Sequence, residues 1–220
     1  MYPPSWIRGL REVCDRHRVH MIADEIAVGF GRTGTMFACE QAGVSPDFMC
    51  LSKGLTGGFL PMSAVLTSEH VYQAFYDDYT SLRGFLHSHS YTGNALACAA
   101  ALATLELFEA SPVLEDNRRT ARLMRESVAD LEEHPNVGEI RQTGMILAME
   151  MVADRDQMKG WDWTERRGMR VYQYAMEHGV LLRPIGNVVY WLPPYVINES
   201  EIARLAEVTR AGIDRAAGLA

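Results

Sequence analysis

At 220 residues, 48% apolar and 22% charged, the sequence has ordinary globular composition and enough chain for one or two domains. A formal net charge of -7, with no block of lysines or arginines, argues against a nucleic-acid surface. No apolar run reaches the ~18 residues of a membrane helix, and residues 1–6 lack the basic-then-apolar pattern of a signal peptide. Cys14, Cys39, Cys50 and Cys98 form no CxxC. They read as free thiols of a cytoplasmic protein, not as a zinc site or a disulfide framework.

Residues 6–17 predict an amphipathic helix, with Trp6, Ile7, Leu10, Val13 and Cys14 on one face. Residues 19–23 are a short apolar run closed by Asp24-Glu25, the pattern of a buried parallel strand with polar groups at its carboxyl end. Residues 48–51 predict a second such strand, ending just before Lys53. Residues 62–66 predict a third, and Ser68-Glu69 opens a helix. Ligands of open α/β sheets sit beyond the carboxyl ends of strands, which is where Asp24 and Lys53 fall.

Residues 93–109 predict an alanine-rich helix whose small side chains call for close packing. Ser111-Pro112 ends it and opens another, to about residue 132. Residues 137–141 and 145–151 predict antiparallel strands around Gly144. A helix over 163–178 stops at Gly179, residues 180–183 and 188–192 read as short strands, and 200–217 as the last helix. The pattern divides into an α/β layer with a parallel-type sheet over residues 1–110 and a smaller α+β unit over 111–220. Three strands alone leave long unpaired edges, so the first half of a larger sheet is expected to be missing.

Lys53 lies in Leu51-Ser52-Lys53-Gly54-Leu55-Thr56-Gly57-Gly58, between an apolar run and a glycine-rich turn. That is a poor place for a solvated charge and a good one for an amine that condenses with an aldehyde cofactor. Pyridoxal phosphate needs a lysine for its Schiff base and a carboxylate on its pyridinium nitrogen. Asp24 supplies the carboxylate, and burial of Lys53 would free its lone pair. Taken singly, Lys53 also fits an exposed turn lysine and Asp24 a strand-end cap. Gly29-Phe30-Gly31-Arg32-Thr33-Gly34 matches G-x-G-x-x-G literally, but Asp24-Glu25 intervenes before it and no acidic residue closes the next strand. A tightly turning loop is the better reading than a dinucleotide site. In the stretch from His87 to Asn94, ahead of the alanine-rich helix, Ser90 is a candidate for a phosphate group. His87 and His89 lack acidic or cysteine partners at ligand spacing, so a metal is not expected. Arg183, before Pro184, is placed at a strand end, where it can grip a carboxylate with two parallel hydrogen bonds or form a surface ion pair.

The run from Ile22 through Gly34, then Pro46-Asp47, then Leu51 through Gly58, resembles the signature of the class III, or omega-amino-acid, aminotransferases. The similarity continues through Gly93-Asn94-Ala95-Leu96-Ala97-Cys98 to Arg183-Pro184 and Leu192-Pro193-Pro194-Tyr195. It implies an α/β, fold-type-I pyridoxal-phosphate transferase. Lys53 would be the Schiff-base lysine and Asp24 the pyridinium partner. Ser88 would lie near the substrate, and Arg32 near its entrance. His89 and Ser90 would reach the cofactor phosphate of the neighbouring subunit in a homodimer. Arg183 would hold the substrate carboxylate. Ser90 stands where the class often has threonine, and the hydroxyl is kept.

Within the class, the wording is most similar to the branch serving biotin synthesis. That implies S-adenosylmethionine as amino donor, 8-amino-7-oxononanoate as acceptor and 7,8-diaminononanoate as product. Class members run to roughly twice this length, so the chain reads as a carboxyl-terminal half, doubtful in activity alone. Lysine-dependent, ornithine, 4-aminobutyrate and β-alanine aminotransferases share the Lys53 and Asp24 pattern. A non-catalytic dimerising piece is the alternative from another class.

Overall fold

The computed structural model describes residues 1–219. The chain divides into two compact units, one spanning Tyr2–Leu114 and the other beginning at Glu115.

In the first unit, Pro4 at a helix start, where its missing N–H is no loss, opens α1 (Pro4–His17). Arg18, in the left-handed conformation, ends it. Asp47 ties this helix to the sheet: one carboxylate oxygen accepts from Arg11 and from the Met21 N–H, each at 2.7 Å. The Arg11 guanidinium and the Met21 N–H hold the Asp47 carboxyl down at about 2.

Strands β1 (Ile22–Asp24) and β2 (Phe48–Leu51) pair in parallel, with Asp24 opposite Cys50. Strand β1 is shorter than the apolar run predicts, because the Met21 carbonyl bonds the N–H groups of Asp47 and Phe48 instead of entering the ladder. Strand β3 (Ala64–Thr67) corrects the parallel-type sheet, for it runs antiparallel to β2. The link from Leu51 to Ala64 holds only a 3-10 turn and no crossover helix, so the chain folds straight back. The strands are not buried on both faces: Ile22, Val65 and Leu66 are more than half exposed.

Ser68 caps the short α2 (Glu69–Gln73). Asn94 caps α3 (Ala95–Ala110), its side chain accepting from the Ala97 N–H. The alanine of α3 does not pack closely all round; only Ala97 and Ala101 are buried. The small core of this unit gathers Phe30, Leu51, Leu55 and Ala101.

Helix α4 (Val113–Ser127) leads into the second unit. There β4 (Val137–Thr143), β5 (Ile146–Met151), β6 (Arg183–Ile185) and β7 (Val188–Trp191) form an antiparallel sheet in the order β4-β5-β7-β6. Helices α4, α5 (Arg167–Glu177) and α6 (Glu199–Ala217) supply the rest of a dense core that includes Met124, Met149, Val171, Trp191 and Ile213. The residues before α5 form a separate 3-10 turn, Trp163–Glu165, and Arg166 at φ 51 breaks the predicted single helix. Gly212 lets α6 approach α5 closely: a Cβ there would lie 3.0 Å from Val171. The buried Trp191 indole donates to the Thr209 hydroxyl at 2.9 Å, so its one polar atom is satisfied. Among the described residues, no single helix is long and apolar enough to cross a membrane.

Candidate active site

Asp24 closes β1, and the chain leaves the sheet there. Its Oδ1 accepts the Ile26 N–H at 3.0 Å, the local turn that a strand-end aspartate makes. The residue is exposed, and Oδ2 makes no hydrogen bond with the described residues. Glu25, next in sequence, turns the opposite way. It is 2% exposed, and its two carboxylate oxygens accept the N–H groups of Ala38 at 2.9 Å and Cys39 at 2.8 Å. Its backbone carbonyl also accepts from the Gly29 N–H. One acid faces outward at the strand end, and its neighbour staples the following loop. Burial, with the Glu25 carboxylate alongside, pushes the Cys39 thiol up to about 11.

The glycine loop opens no helix. Residues 26–34 are a run of turns in which Gly31 and Gly34 take positive φ, and a 3-10 turn, Ala38–Ala42, follows. No phosphate-binding helix start is built, so the dinucleotide geometry is absent. Arg32 is half-buried in this loop.

Lys53 begins a 3-10 turn, Lys53–Thr56, directly after β2. Its backbone is left-handed, at φ 45. Gly57 and Gly58 also take positive φ, and the Gly58 N–H bonds the Lys53 carbonyl at 3.2 Å. Two hydroxyls pin the loop beyond: Ser52 donates to the Met62 carbonyl and Thr56 to that of Leu60, each at 2.6 Å. The expected burial of the amine is not met. Lys53 is exposed, and its amine makes no hydrogen bond or ion pair with the described residues. It stands past the carboxyl end of β2, on the exposed side of its turn.

His87, Ser88, His89 and Ser90 lie in an exposed segment ahead of the Asn94 cap, so Ser90 is not at the helix start itself. Within it, the Tyr91 N–H donates to His89 Nδ1 at 3.1 Å, which leaves the proton of a neutral ring on Nε2. A cavity of about 650 Å³ brings His89 and Asn94 to face Ser52 and Met62, beside the Lys53 turn. Arg183 belongs to the second unit, where it is exposed. It begins β6 rather than ending a strand over 180–183. The Gly186-Asn187 turn sets this register, pairing Ile185 with Val188 and Arg183 with Tyr190.

Glu25, Phe30, Ser52 and Thr56 carry structural duties around Asp24 and Lys53 that the sequence reading passed over. Glu25 had a signal: an acid in the midst of an apolar stretch must find partners when buried.

A family model, described as Aminotransferase class-III, matches residues 1–211. The chain belongs to the class III aminotransferases. These enzymes use pyridoxal phosphate, and a solved omega transaminase of Pseudomonas jessenii in complex with PMP is similar to this class III chain. That likeness has a TM-score of 0.90 at 32% identity, covering 96% of this chain and 47% of the other. Among curated relatives, the adenosylmethionine-8-amino-7-oxononanoate aminotransferase of Nitratidesulfovibrio vulgaris is 49% identical over 96% of this chain and 39% of its own length. The enzyme of the same name from Geobacter sulfurreducens is 47% identical over 98% and 48%. The crystal structure of the Methanocaldococcus jannaschii aminotransferase of that name superposes with a TM-score of 0.91 at 38% identity, over 97% of this chain and 50% of that one. The chain spans about half the length of the relatives it matches, or less.

Proposed function

We propose that this chain supplies the lysine and the ring-nitrogen carboxylate of the pyridoxal-phosphate site of a fold-type-I aminotransferase. One observation carries the reading: Asp24 and Lys53 stand at the carboxyl ends of adjacent, parallel β1 and β2, with Asp24 level with Cys50. Strand spacing of about 4.8 Å sets β1 and β2 side by side, with Lys53 three positions beyond Cys50. The donor set fits the cofactor, which needs one uncommitted amine and one uncommitted carboxylate oxygen. Among the described residues, the Lys53 amine and Oδ2 of Asp24 have no partner. When bound, the cofactor supplies an electron sink for the carbanion left at the substrate carbon.

The residues of this chain do the rest. Lys53 holds the cofactor and then carries a proton as general base. Asp24 keeps the ring nitrogen protonated through opposite charge. His89 and Ser90 serve the phosphate held by the neighbouring subunit, which makes the enzyme a homodimer with its site at the interface. Arg183 grips the substrate carboxylate, and Ser88 and Arg32 lie along the substrate's path. We place the reaction in the cytoplasm, in keeping with four free cysteines.

The shared naming of the curated relatives supports the substrates. S-adenosylmethionine gives up its amine and takes a keto oxygen from water, and the 7-keto group of 8-amino-7-oxononanoate loses its oxygen as water and becomes the amine of 7,8-diaminononanoate. The likeness to omega transaminases favours a second reading, another class III aminotransferase with a different donor. The test assays donors against 8-amino-7-oxononanoate in a polypeptide that carries this chain at the length of its relatives. The expected result is 7,8-diaminononanoate formed with S-adenosylmethionine and lost in Lys53→Ala. Turnover with lysine, ornithine, 4-aminobutyrate or β-alanine but not S-adenosylmethionine would reject the donor assignment.

A further inference from the structure

Lys53 is held in an unfavourable backbone conformation. A left-handed φ is unfavourable for a residue with a side chain, and such residues persist only where their surroundings over-determine them. The turn's own hydrogen bonds run from Leu55 to Ser52, Gly57 to Gly54 and Gly58 to Lys53. They close the turn without fixing its tilt against the sheet.

Phe30 packs directly against the turn, beside Thr104 of α3. A Cβ built on Gly54 would lie 2.8 Å from Cβ of Phe30 and 3.0 Å from two of its ring atoms. Phe30 is 3% exposed and joins Leu51 and Leu55, which bracket Lys53 in sequence. Its ring meets Phe37 edge-on at 5.7 Å and Phe108 of α3 at 6.4 Å. It is therefore wedged between the lysine turn and a helix. Phe30 is itself left-handed, at φ 55. Its loop is anchored upstream, where the Gly29 N–H bonds the carbonyl of the buried Glu25 at 2.9 Å. Gly29 admits no side chain there, since a Cβ would stand 2.8 Å from that same carbonyl oxygen. Two strained, non-glycine residues thus face each other across Gly54, one carrying the amine and the other the wedge.

We propose that Phe30 is a positioning residue for Lys53: its ring, closed over Gly54, holds the left-handed turn on which the placement of the amine depends. Gly54 is glycine because the ring occupies its side-chain space. Phe30 touches no reacting atom, and the consequence for chemistry rests on the aminotransferase reading above.

The test combines amide hydrogen exchange with chemistry at the amine, on this chain and its variants. The sequence has two lysines, Lys53 and Lys159, so the second is an internal control. Phe30→Leu is expected to speed exchange at Leu55, Gly57 and Gly58 about tenfold while leaving β4 and β5 unchanged. It is also expected to lower the ratio of borohydride-fixed pyridoxal phosphate on Lys53 to that on Lys159. Gly54→Ala should do the same alone, yet add little in a Phe30→Gly background, where the contact at 2.8 Å is gone. A merely structural phenylalanine would couple to Gly54 but leave the Lys53-to-Lys159 adduct ratio unchanged. Equal harm from Gly54→Ala in both backgrounds, or unchanged turn exchange in Phe30→Leu, would overturn the proposal. No adduct on Lys53 in the unsubstituted chain, with the exchange effects intact, would reject Lys53 as the amine that takes the cofactor in this chain and leave the wedge standing.

Discussion

The carboxylate of Glu25 holds the backbone N–H of Cys39, fourteen positions further along the chain, at 2.8 Å, while its other oxygen takes the N–H of Ala38. This buried acid, next to the outward-facing Asp24, folds the glycine-rich loop back toward β1. Replacing Glu25 with Gln keeps the shape but sets an amide donor against a backbone donor. The expected cost is about 1–3 kcal/mol. Urea unfolding of Glu25→Gln against the unsubstituted chain measures it, and an unchanged midpoint would show that the staple carries no weight.

The same contact governs the thiol. Cys39, raised from 9.0 to about 11, is almost wholly protonated at neutral pH and is buried as well. Cys14, Cys50 and Cys98 are half-buried. Timed alkylation at pH 7.5, followed by peptide mass analysis, should therefore label Cys39 last. Labelling of Cys39 ahead of the others would contradict the burial.

Asp47 sets an acid limit on the first unit. Its carboxyl falls from the ordinary 3.8 to about 2 in the folded chain, so folding favours the ionised form. The stability this contributes is complete above about pH 4 and is lost as pH falls through 2. Asp47→Asn should cost about 1 kcal/mol at pH 7, the pair being partly screened by solvent. The difference from the unsubstituted chain should vanish at the acid end. Stability curves from pH 2 to 7 for both proteins check the sign.

In the second unit, Thr209→Val leaves the buried Trp191 indole N–H without an acceptor. A loss of about 1–3 kcal/mol is expected. Tryptophan fluorescence during denaturation reads it directly.

Much of the second unit was legible because its elements obey local rules. Gly144 at φ 53 turns β4 into β5, and Asn198 with Glu201 forms a capping box on α6. Strand direction and register were not. The apolar run at 64–67 reads alike whichever way it runs, and only the helix-free link after Leu51 makes β3 antiparallel. Arg183 shifted to the start of β6 because the Gly186-Asn187 turn counts the pairs backward from the hairpin. In the site, Asp24 and Lys53 could be read from residue type and strand position. Glu25 and Phe30 could not be assigned, because their partners lie in other segments: Ala38 and Cys39 for one, Gly54 and Phe108 for the other. The expected burial of Lys53 failed for a similar reason, since an apolar flank does not show what covers a strand end.

The most direct measurement is where pyridoxal phosphate attaches. Incubation with the cofactor, reduction with borohydride and peptide mapping should place the label on Lys53 in preference to Lys159, the other lysine, and to the Met1 amine. Asp24→Ala should weaken that preference. Equal labelling of the two lysines, unaffected by Asp24→Ala, would contradict a cofactor site built on this amine and this carboxylate.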